Sequence, residues 1–193
     1  MQMEEVFLKF KFITVTSCFT VPNKINMKMK YLILTVLLVF FSNAFSQEIK
    51  GNYAIKNVKN GMLLRVKDAA SKNGTPLVAY NPQNWKCMTW DFKNTGTNTY
   101  QLENLLTHKT FQPQTAAATD AALEEQPLIA GNSNQEYEFI ALKKDIYLIK
   151  LKGTDLYITP SDPKGQVNSS IILAKKRSTP EQQWTIYQQS PTM

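Results

Sequence analysis

Apolar and polar residues alternate in three short segments that share an early tyrosine. The segments are "NYAIKN" with Tyr53, "TYQLEN" with Tyr100 and "IYLIKL" with Tyr147, and their tyrosines are 47 residues apart. Successive side chains of a β-strand point to opposite faces, so this alternation is typical of a half-buried strand. The constant spacing predicts three copies of one structural unit.

Three further landmarks follow each tyrosine in the same order: a turn with a strand, an apolar strand, and a strand with a bulky aromatic residue. The turns are "NGMLLRV", "THKTFQP" and "GTDLYIT", in which we match Leu64, Phe111 and Leu156. The apolar strands are "TPLVAY", "QPLIAG" and "SSIILA". The aromatic strands are "MTWDF", "YEFIAL" and "QQWTI".

Four strands in each of three units predict an all-β protein of twelve short strands. Closing these strands with pseudo-threefold symmetry would remove exposed sheet edges. The repeats are expected at about 51–95, 98–142 and 145–188. The recurring aromatic residues are predicted to form the core, and they are Tyr53, Trp90, Tyr100, Phe139, Tyr147 and Trp184. The best helix candidate is Thr115–Gln126, which is rich in alanine and is expected to give one or two turns at most.

The first 46 residues have a different character. Lys28 and Lys30 precede the apolar run from Tyr31 to Phe41, and Ala44 and Ser46 then have the spacing of a cleavage site. The run is too short to span a bilayer, which takes about 20 residues. We predict a signal peptide over 27–46, cleaved near Ser46–Gln47, and a secreted, periplasmic or cell-surface product without membrane insertion. Residues 1–26 are expected to be an over-extended N-terminus or an unusually long n-region.

The net charge of the predicted mature chain excludes few classes of function. From Gln47 onward it carries 17 Lys and Arg against 13 Asp and Glu, a net charge of +4. The dense run Lys175–Arg177 has no interleaved aromatic residues, so we interpret it as a solvated loop and expect no nucleic-acid partner.

Candidate catalytic and metal-binding residues are sparse. Cys87 has no cysteine partner in the mature chain, and His108 is the single histidine. We therefore expect no metal, no cofactor and no Cys-His or Ser-His-Asp centre. Glycoside hydrolysis requires two positioned carboxylates, and no such pair is evident. The sequence favours a protein without catalytic activity.

The landmarks resemble those of the ricin-B-type lectins, whose repeat reads Tyr-x-Ile, Gly-x-x-Leu-Asp-Val, Gly-x-x-Val-x-x-Trp and Gln-x-Trp. The first unit follows this pattern from "GTPLVAY" through "NPQNWKCMTW", and the third supplies a full Gln-x-Trp at Gln182–Trp184. The resemblance covers Gln47 to Tyr187. It implies a β-trefoil that binds glycans or polysaccharides and leaves catalysis to other domains.

The resemblance also indicates where a sugar would bind and which residues of such a site are missing. The family's hydroxyl-binding Asp is matched by Arg65, Gln112 and Tyr157, and its aromatic platform by Tyr80, Gly131 and Ala174. The polar pair that ends in the Gln-x-Trp glutamine is matched by Cys87-Met88, Glu136-Tyr137 and Glu181-Gln182. No unit holds the complete set, so the resemblance implies a degenerate sugar site centred on the first unit.

The candidate ligand-binding residues are Tyr80, Asn81, Asn84, Trp85, Arg65, Asp68 and Gln182. The first four lie on one loop, where the aromatic rings could stack on a sugar or could cap the end of the barrel. Arg65 and Asp68 could bind a ligand or form a surface ion pair. Gln182 could contact ligand or hold the backbone. The alternative functions are a protein-interaction or structural module that has lost sugar binding, and an inhibitor of secreted hydrolases.

Overall fold

The computed structural model describes residues 48–177 and 179–192. The predicted signal peptide and the segment before it lie outside this part of the chain, so those predictions remain expectations. Within it there are twelve strands: β1 Asn52–Asn57, β2 Leu63–Val66, β3 Leu77–Tyr80, β4 Trp90–Gly96, β5 Thr99–Asn104, β6 Thr110–Pro113, β7 Leu123–Gln126, β8 Tyr137–Lys143, β9 Ile146–Leu151, β10 Leu156–Pro160, β11 Ile171–Lys175 and β12 Gln183–Gln188.

Six of these strands close into a barrel. Strand β1 pairs with β4, β4 with β5, β5 with β8, β8 with β9, β9 with β12, and β12 returns to β1, all antiparallel. The hairpins β4–β5 and β8–β9 carry the same register shift, between Asn94 and Gly96 and between Ala141 and Lys143. Because the ring is closed, its strands expose no unpaired edge.

The other six strands form three hairpins, β2–β3, β6–β7 and β10–β11. Three isolated bridges, Pro76 with Glu124, Val78 with Ser170 and Ala122 with Ile172, join the hairpins to one another. A four-strand unit that occurs three times in the sequence and builds a six-stranded barrel with three hairpins is a β-trefoil. The predicted fold class is thus confirmed.

The segment Thr115–Gln126 contains no helix, which agrees with the prediction of one or two turns at most. Its last four residues form β7, and the preceding residues form turns and bends. The isolated bridge of Ala122 to Ile172 ties the segment to another hairpin, and this pairing overrides the weak helical preference of alanine. Among the described residues no helix has the length and apolarity needed to cross a membrane.

One hydrogen bond recurs in every unit and fixes the true register of the repeat. The ring nitrogens of Trp90 and Trp184 donate to the backbone oxygens of Leu64 and Ile158 at 3.3 and 3.1 Å. In the second unit the hydroxyl of Tyr137 donates to the Phe111 oxygen at 3.3 Å. Trp90, Tyr137 and Trp184 are 47 residues apart and are fully buried. A buried polar ring atom needs a partner, and the strand carbonyl provides it three times.

This register corrects two of the predicted matches. Tyr137, rather than Phe139, corresponds to the two tryptophans, and Ile158, rather than Leu156, corresponds to Leu64 and Phe111. Each prediction was wrong by two residues because alternate residues of a strand share a face and both are apolar here. Phe139 instead corresponds to Phe92, and the two rings touch at 5.1 Å in the barrel.

The other predicted core residues divide by exposure. Tyr100 and Phe139 are buried, and the backbone N–H of Ile49 donates to the Tyr100 hydroxyl at 3.0 Å. Tyr53 and Tyr147 are only half-buried and pack against the core from its edge, through Phe92 and Phe139. For these two tyrosines the core prediction is corrected.

Candidate functional site

The three hairpins place the predicted sugar-site positions in register. With Leu64, Phe111 and Ile158 aligned, the next residues on these strands are Arg65, Gln112 and Thr159. Thr159 therefore replaces the predicted Tyr157 at the position of the family Asp. On the opposing strands, Leu63 faces Tyr80, Thr110 faces Gln126 and Tyr157 faces Ala174.

Gln126 thus replaces the predicted Gly131 at the platform position of the second unit. The sequence pattern predicts the strand at the apolar "QPLIAG". Strand β7 lies before it, because Leu123 and Glu125 face the interior and the chain leaves the sheet after Gln126. The first unit is the one with an aromatic residue at the platform position.

A short 3-10 turn precedes the aromatic strand in each unit, at Lys86–Met88, Ser133–Gln135 and Pro180–Gln182. The last residue of each turn is fully buried. The second unit therefore keeps the family glutamine as Gln135, which corrects the prediction that Glu136-Tyr137 had lost it. Gln182 is buried with no exposed surface, so its predicted contact with ligand is wrong and its role is structural.

The two glutamines bind the chain of their own units. Gln182 donates to the Lys175 oxygen at 2.8 Å and accepts from the Arg177 N–H at 2.6 Å. Gln135 donates to the Gln112 side-chain oxygen and to the Pro127 oxygen, each at 2.9 Å. In the third unit the Thr159 hydroxyl donates to the Glu181 oxygen at 3.1 Å. In these two units the residue at the Asp position is therefore bound by its own unit.

The first unit lacks this arrangement because Met88 occupies the glutamine position. Arg65 is only 8% exposed, and its guanidinium carbon lies 4.0 Å from the centre of the Tyr80 ring and 5.8 Å from that of Trp85. The two rings are 6.2 Å apart and tilted by 37°. Such stacking of a guanidinium on aromatic faces is favourable. One face of the predicted platform, Tyr80, is thus covered by Arg65.

Trp85 is placed at the site by the same 3-10 turn. It precedes the turn, where the second unit has Asn132 and the third has Thr179. The Asn132 side chain accepts a hydrogen bond from the Asn134 N–H and so caps its turn. An indole cannot accept this bond, and the half-buried Trp85 ring packs beside Tyr80 and Arg65 instead.

A surface depression of about 380 Å³ lies against this cluster, which is within the usual size range of small-ligand sites. Its lining consists of Arg65, Ala69, Trp85, Lys86, Cys87 and Leu106. Two of these side chains are cationic, none is a carboxylate, and Leu106 is a large apolar residue with 40% exposure. The exposed lining is mostly apolar and suits the apolar face of a ring, while Arg65 and Lys86 are its two cationic groups.

The loop that carries Trp85 is anchored by residues that the sequence did not indicate. Gln189 is buried just after β12, where its side chain accepts from the Thr89 hydroxyl at 2.8 Å and donates to the Gln83 oxygen at 3.0 Å. Asn84, predicted to bind ligand, donates to the Ser190 oxygen at 3.3 Å. No sequence signal marks Gln189, because it serves a loop 100 residues away.

The remaining candidate residues form no hydrogen bond or ion pair with Arg65 or Trp85 in the described part of the chain. Asn81 is exposed on the loop. Asp68 is exposed, has a left-handed backbone with φ of 53°, and forms no ion pair with Arg65, so the predicted surface pair is wrong. His108 lies 3.0 Å from Glu103 rather than at Cys87, which is buried. The described residues include no group of three or more potential metal ligands.

One buried carboxyl group lies on a neighbouring hairpin. Glu125 on β7 is fully buried and accepts a hydrogen bond from the Thr107 hydroxyl, while its second oxygen has no partner among the described residues. Burial disfavours the charged form, so the pKa of Glu125 is raised above 4.5 despite the Thr107 bond and the charge of Lys109.

Residues 41–126 match the model of a family described as ricin-type beta-trefoil lectin domain-like. Solved structures of ricin-B-like lectins share the fold over about three quarters of the chain. The chain resembles the ricin-B-type lectins in sequence and in fold. No curated protein matches it in sequence.

Three solved structures illustrate the ricin-B-type fold. The Rhizoctonia solani agglutinin has a TM-score of 0.67 at 16% identity, covering 76% of this chain and 100% of that one. The ricin B-like lectin of Macrolepiota procera, solved with lactose, has a TM-score of 0.64 at 18% identity, with coverages of 74% and 99%. ThreeFoil, a designed threefold-symmetric protein, has a TM-score of 0.67 at 17% identity, with coverages of 70% and 97%. The domain thus has the β-trefoil fold of the ricin-B-type lectins.

Proposed function

We propose that the protein is an exported, non-catalytic lectin-like protein that binds a glycan or polysaccharide at the first unit. The observation that carries the proposal is the depression between Trp85, Arg65 and Leu106, at the one unit that combines aromatic rings with an uncommitted polar side chain. Export rests on the signal-peptide pattern of residues 27–46.

The chemistry of the lining suits a sugar. A pyranose needs a ring on which to stack its C–H face and fixed polar groups for its hydroxyls. Because Arg65 covers Tyr80, we assign the stacking role to the half-buried Trp85 and the hydrogen-bonding role to Arg65 and Lys86. Asn81, exposed on the same loop, can add a contact from the rim.

The same lining supports a role in binding without hydrolysis. Hydrolysis of a glycosidic bond uses two carboxyl groups that flank it, and this depression is lined by none. The buried Glu125 lies on β7 and is not among the residues that line the depression. We therefore assign the protein a binding role.

The experiment is a glycan array combined with polysaccharide pull-down, using the wild type, Trp85→Ala and Tyr147→Ala. Tyr147 is also a half-buried aromatic residue, but it lies on β9 in the third unit, so its variant controls for general loss of packing. We expect Trp85→Ala to lose binding by about 10-fold or more, since stacking and the depression wall both disappear. Tyr147→Ala is expected to bind as the wild type does.

Two outcomes would contradict the proposal. Absence of wild-type binding to every glycan and polysaccharide would favour the protein-interaction or structural alternative. That alternative is motivated by the residues that replace the family Asp, namely Arg65, Gln112 and Thr159. Equal binding by wild type and Trp85→Ala would place the glycan site elsewhere on the trefoil.

A further inference from the structure

Arg65 is a buried cation without an anionic partner. It is 8% exposed, its Nε atom is buried without a hydrogen-bond acceptor, and its guanidinium forms no ion pair or hydrogen bond with another described residue. Removing a charge from water is costly unless it is paired, so folded proteins almost always give a buried charge a partner. The rings of Tyr80 and Trp85 compensate this charge only in part.

The other two units show that the fold itself does not require an unpaired group at this position. Gln112 receives a hydrogen bond from Gln135, and the Thr159 hydroxyl donates to the Glu181 oxygen. In the first unit Met88 supplies no acceptor. The depression beside Arg65 is lined by a second cation, Lys86, and by no carboxylate. The described residues thus supply no acceptor for the Arg65 guanidinium, and a ligand in the depression can supply one.

We propose that this site recognises acidic glycans, in which a carboxylate or sulfate group on the sugar pairs with Arg65 while the ring packs on Trp85. This inference rests on the proposed function and names its ligand class. A guanidinium presents its donors as a planar fork that matches an oxyanion with two parallel hydrogen bonds. The ring of Tyr80, stacked on this fork, holds it in one orientation, and Lys86 adds a second positive charge.

The test uses two pairs of polymers, each with one charged and one neutral member on the same sugar backbone. Binding is measured by calorimetry and affinity electrophoresis with polygalacturonate, its methyl-esterified form, dextran sulfate and dextran. The variants are Arg65→Met, Arg65→Lys and Lys143→Met. Lys143 is exposed at the end of β8 in the second unit, so its variant makes the same change in net charge away from the site.

We expect the wild type to bind polygalacturonate or dextran sulfate about 10- to 100-fold more tightly than the uncharged polymer, the range of a charge-assisted hydrogen-bonded pair. Arg65→Met should lose this preference, Arg65→Lys should keep part of it, and Lys143→Met should keep all of it. A gain of polygalacturonate over its methyl ester identifies the group as a carboxylate, and a gain of dextran sulfate over dextran identifies it as a sulfate.

The outcomes separate this inference from the proposed function. Wild-type binding to neutral glycans with no gain from charge would overturn the inference and leave the lectin function standing. Equal losses in Arg65→Met and Lys143→Met would show general attraction to a basic surface and would also overturn it. Binding to no glycan at all would overturn both. If Arg65→Met does not fold, Arg65→Lys replaces it: a partial loss of the preference in Arg65→Lys, with none in Lys143→Met, supports the inference, and equal preferences in both variants overturn it.

Discussion

Replacing Gln189 by Ala tests whether the loop that carries Trp85 is held from the C-terminal end of the domain. The substitution removes a hydrogen bond of 2.8 Å from the Thr89 hydroxyl and one of 3.0 Å to the Gln83 oxygen. The backbone bond from Gln189 N–H to the Asn52 oxygen is kept. Each lost bond contributes about 0.5–1.5 kcal/mol, so we expect the free energy of unfolding to fall by about 1–3 kcal/mol.

Ligand binding should weaken along with stability. Freeing the loop means that Trp85 must be ordered when the glycan binds, at about 0.5–1.5 kcal/mol for a side chain of this kind. This cost corresponds to a loss of roughly 2- to 10-fold in affinity. The loss arises without any change in the atoms that line the depression.

Stability is measured by urea unfolding monitored through tryptophan fluorescence, and glycan binding is measured by calorimetry. Gln188→Ala is the matched control, because Gln188 is the neighbouring glutamine and is exposed. A stability of Gln189→Ala equal to that of Gln188→Ala would refute the anchoring role. A destabilised Gln189→Ala variant with unchanged affinity would show that the anchor supports the fold alone.

Three further predictions address the turn, the site and a buried carboxyl group. Gln182→Met gives the third unit the residue that the first unit has at Met88. The substitution removes the two hydrogen bonds of the Gln182 side chain, to Lys175 and Arg177. We expect the free energy of unfolding, measured by urea titration, to fall by about 1–2 kcal/mol. Tyr80→Ala removes the ring beneath Arg65 and should weaken acidic-glycan binding by about 2- to 30-fold, whereas Tyr80→Phe should bind normally; equal affinities of these two variants would contradict the stacking role. Glu125 binds its proton more tightly in the folded than in the unfolded state, so its contribution to stability falls as the pH rises from about 4.5 through its raised pKa. Glu125→Gln should abolish that fall, and a wild-type-like pH profile of stability in this variant would refute the assignment.

The sequence alone determined the fold class. Three tyrosines spaced by 47 residues, each opening an alternating strand, require the same local structure three times, and the turn and aromatic landmarks repeat in the same order. Which face of a strand is buried depends on the residues of that strand alone, so the alternation of apolar and polar residues predicts it. The position of a candidate site near Tyr80 and Trp85 could also be found in this way.

The alignment within each strand required the tertiary structure. A period of two cannot distinguish Tyr137 from Phe139, or Ile158 from Leu156, because both members of each pair point to the same face. Only the hydrogen bond from each buried aromatic ring to its carbonyl settled the match. With this alignment, Gln135 of the second unit corresponds to the buried Gln182 of the third unit.

The chemistry of the site was likewise decided by long-range contacts. The sequence shows Arg65 in place of an Asp, but only the folded chain shows that it is buried on Tyr80 without an anionic partner. Gln189 anchors a loop that lies 100 residues away in the sequence, and no pattern of neighbouring residues predicts this contact. Strand periodicity reports which face of a strand is buried, whereas the partner of a polar group depends on which distant segments the closed barrel brings together.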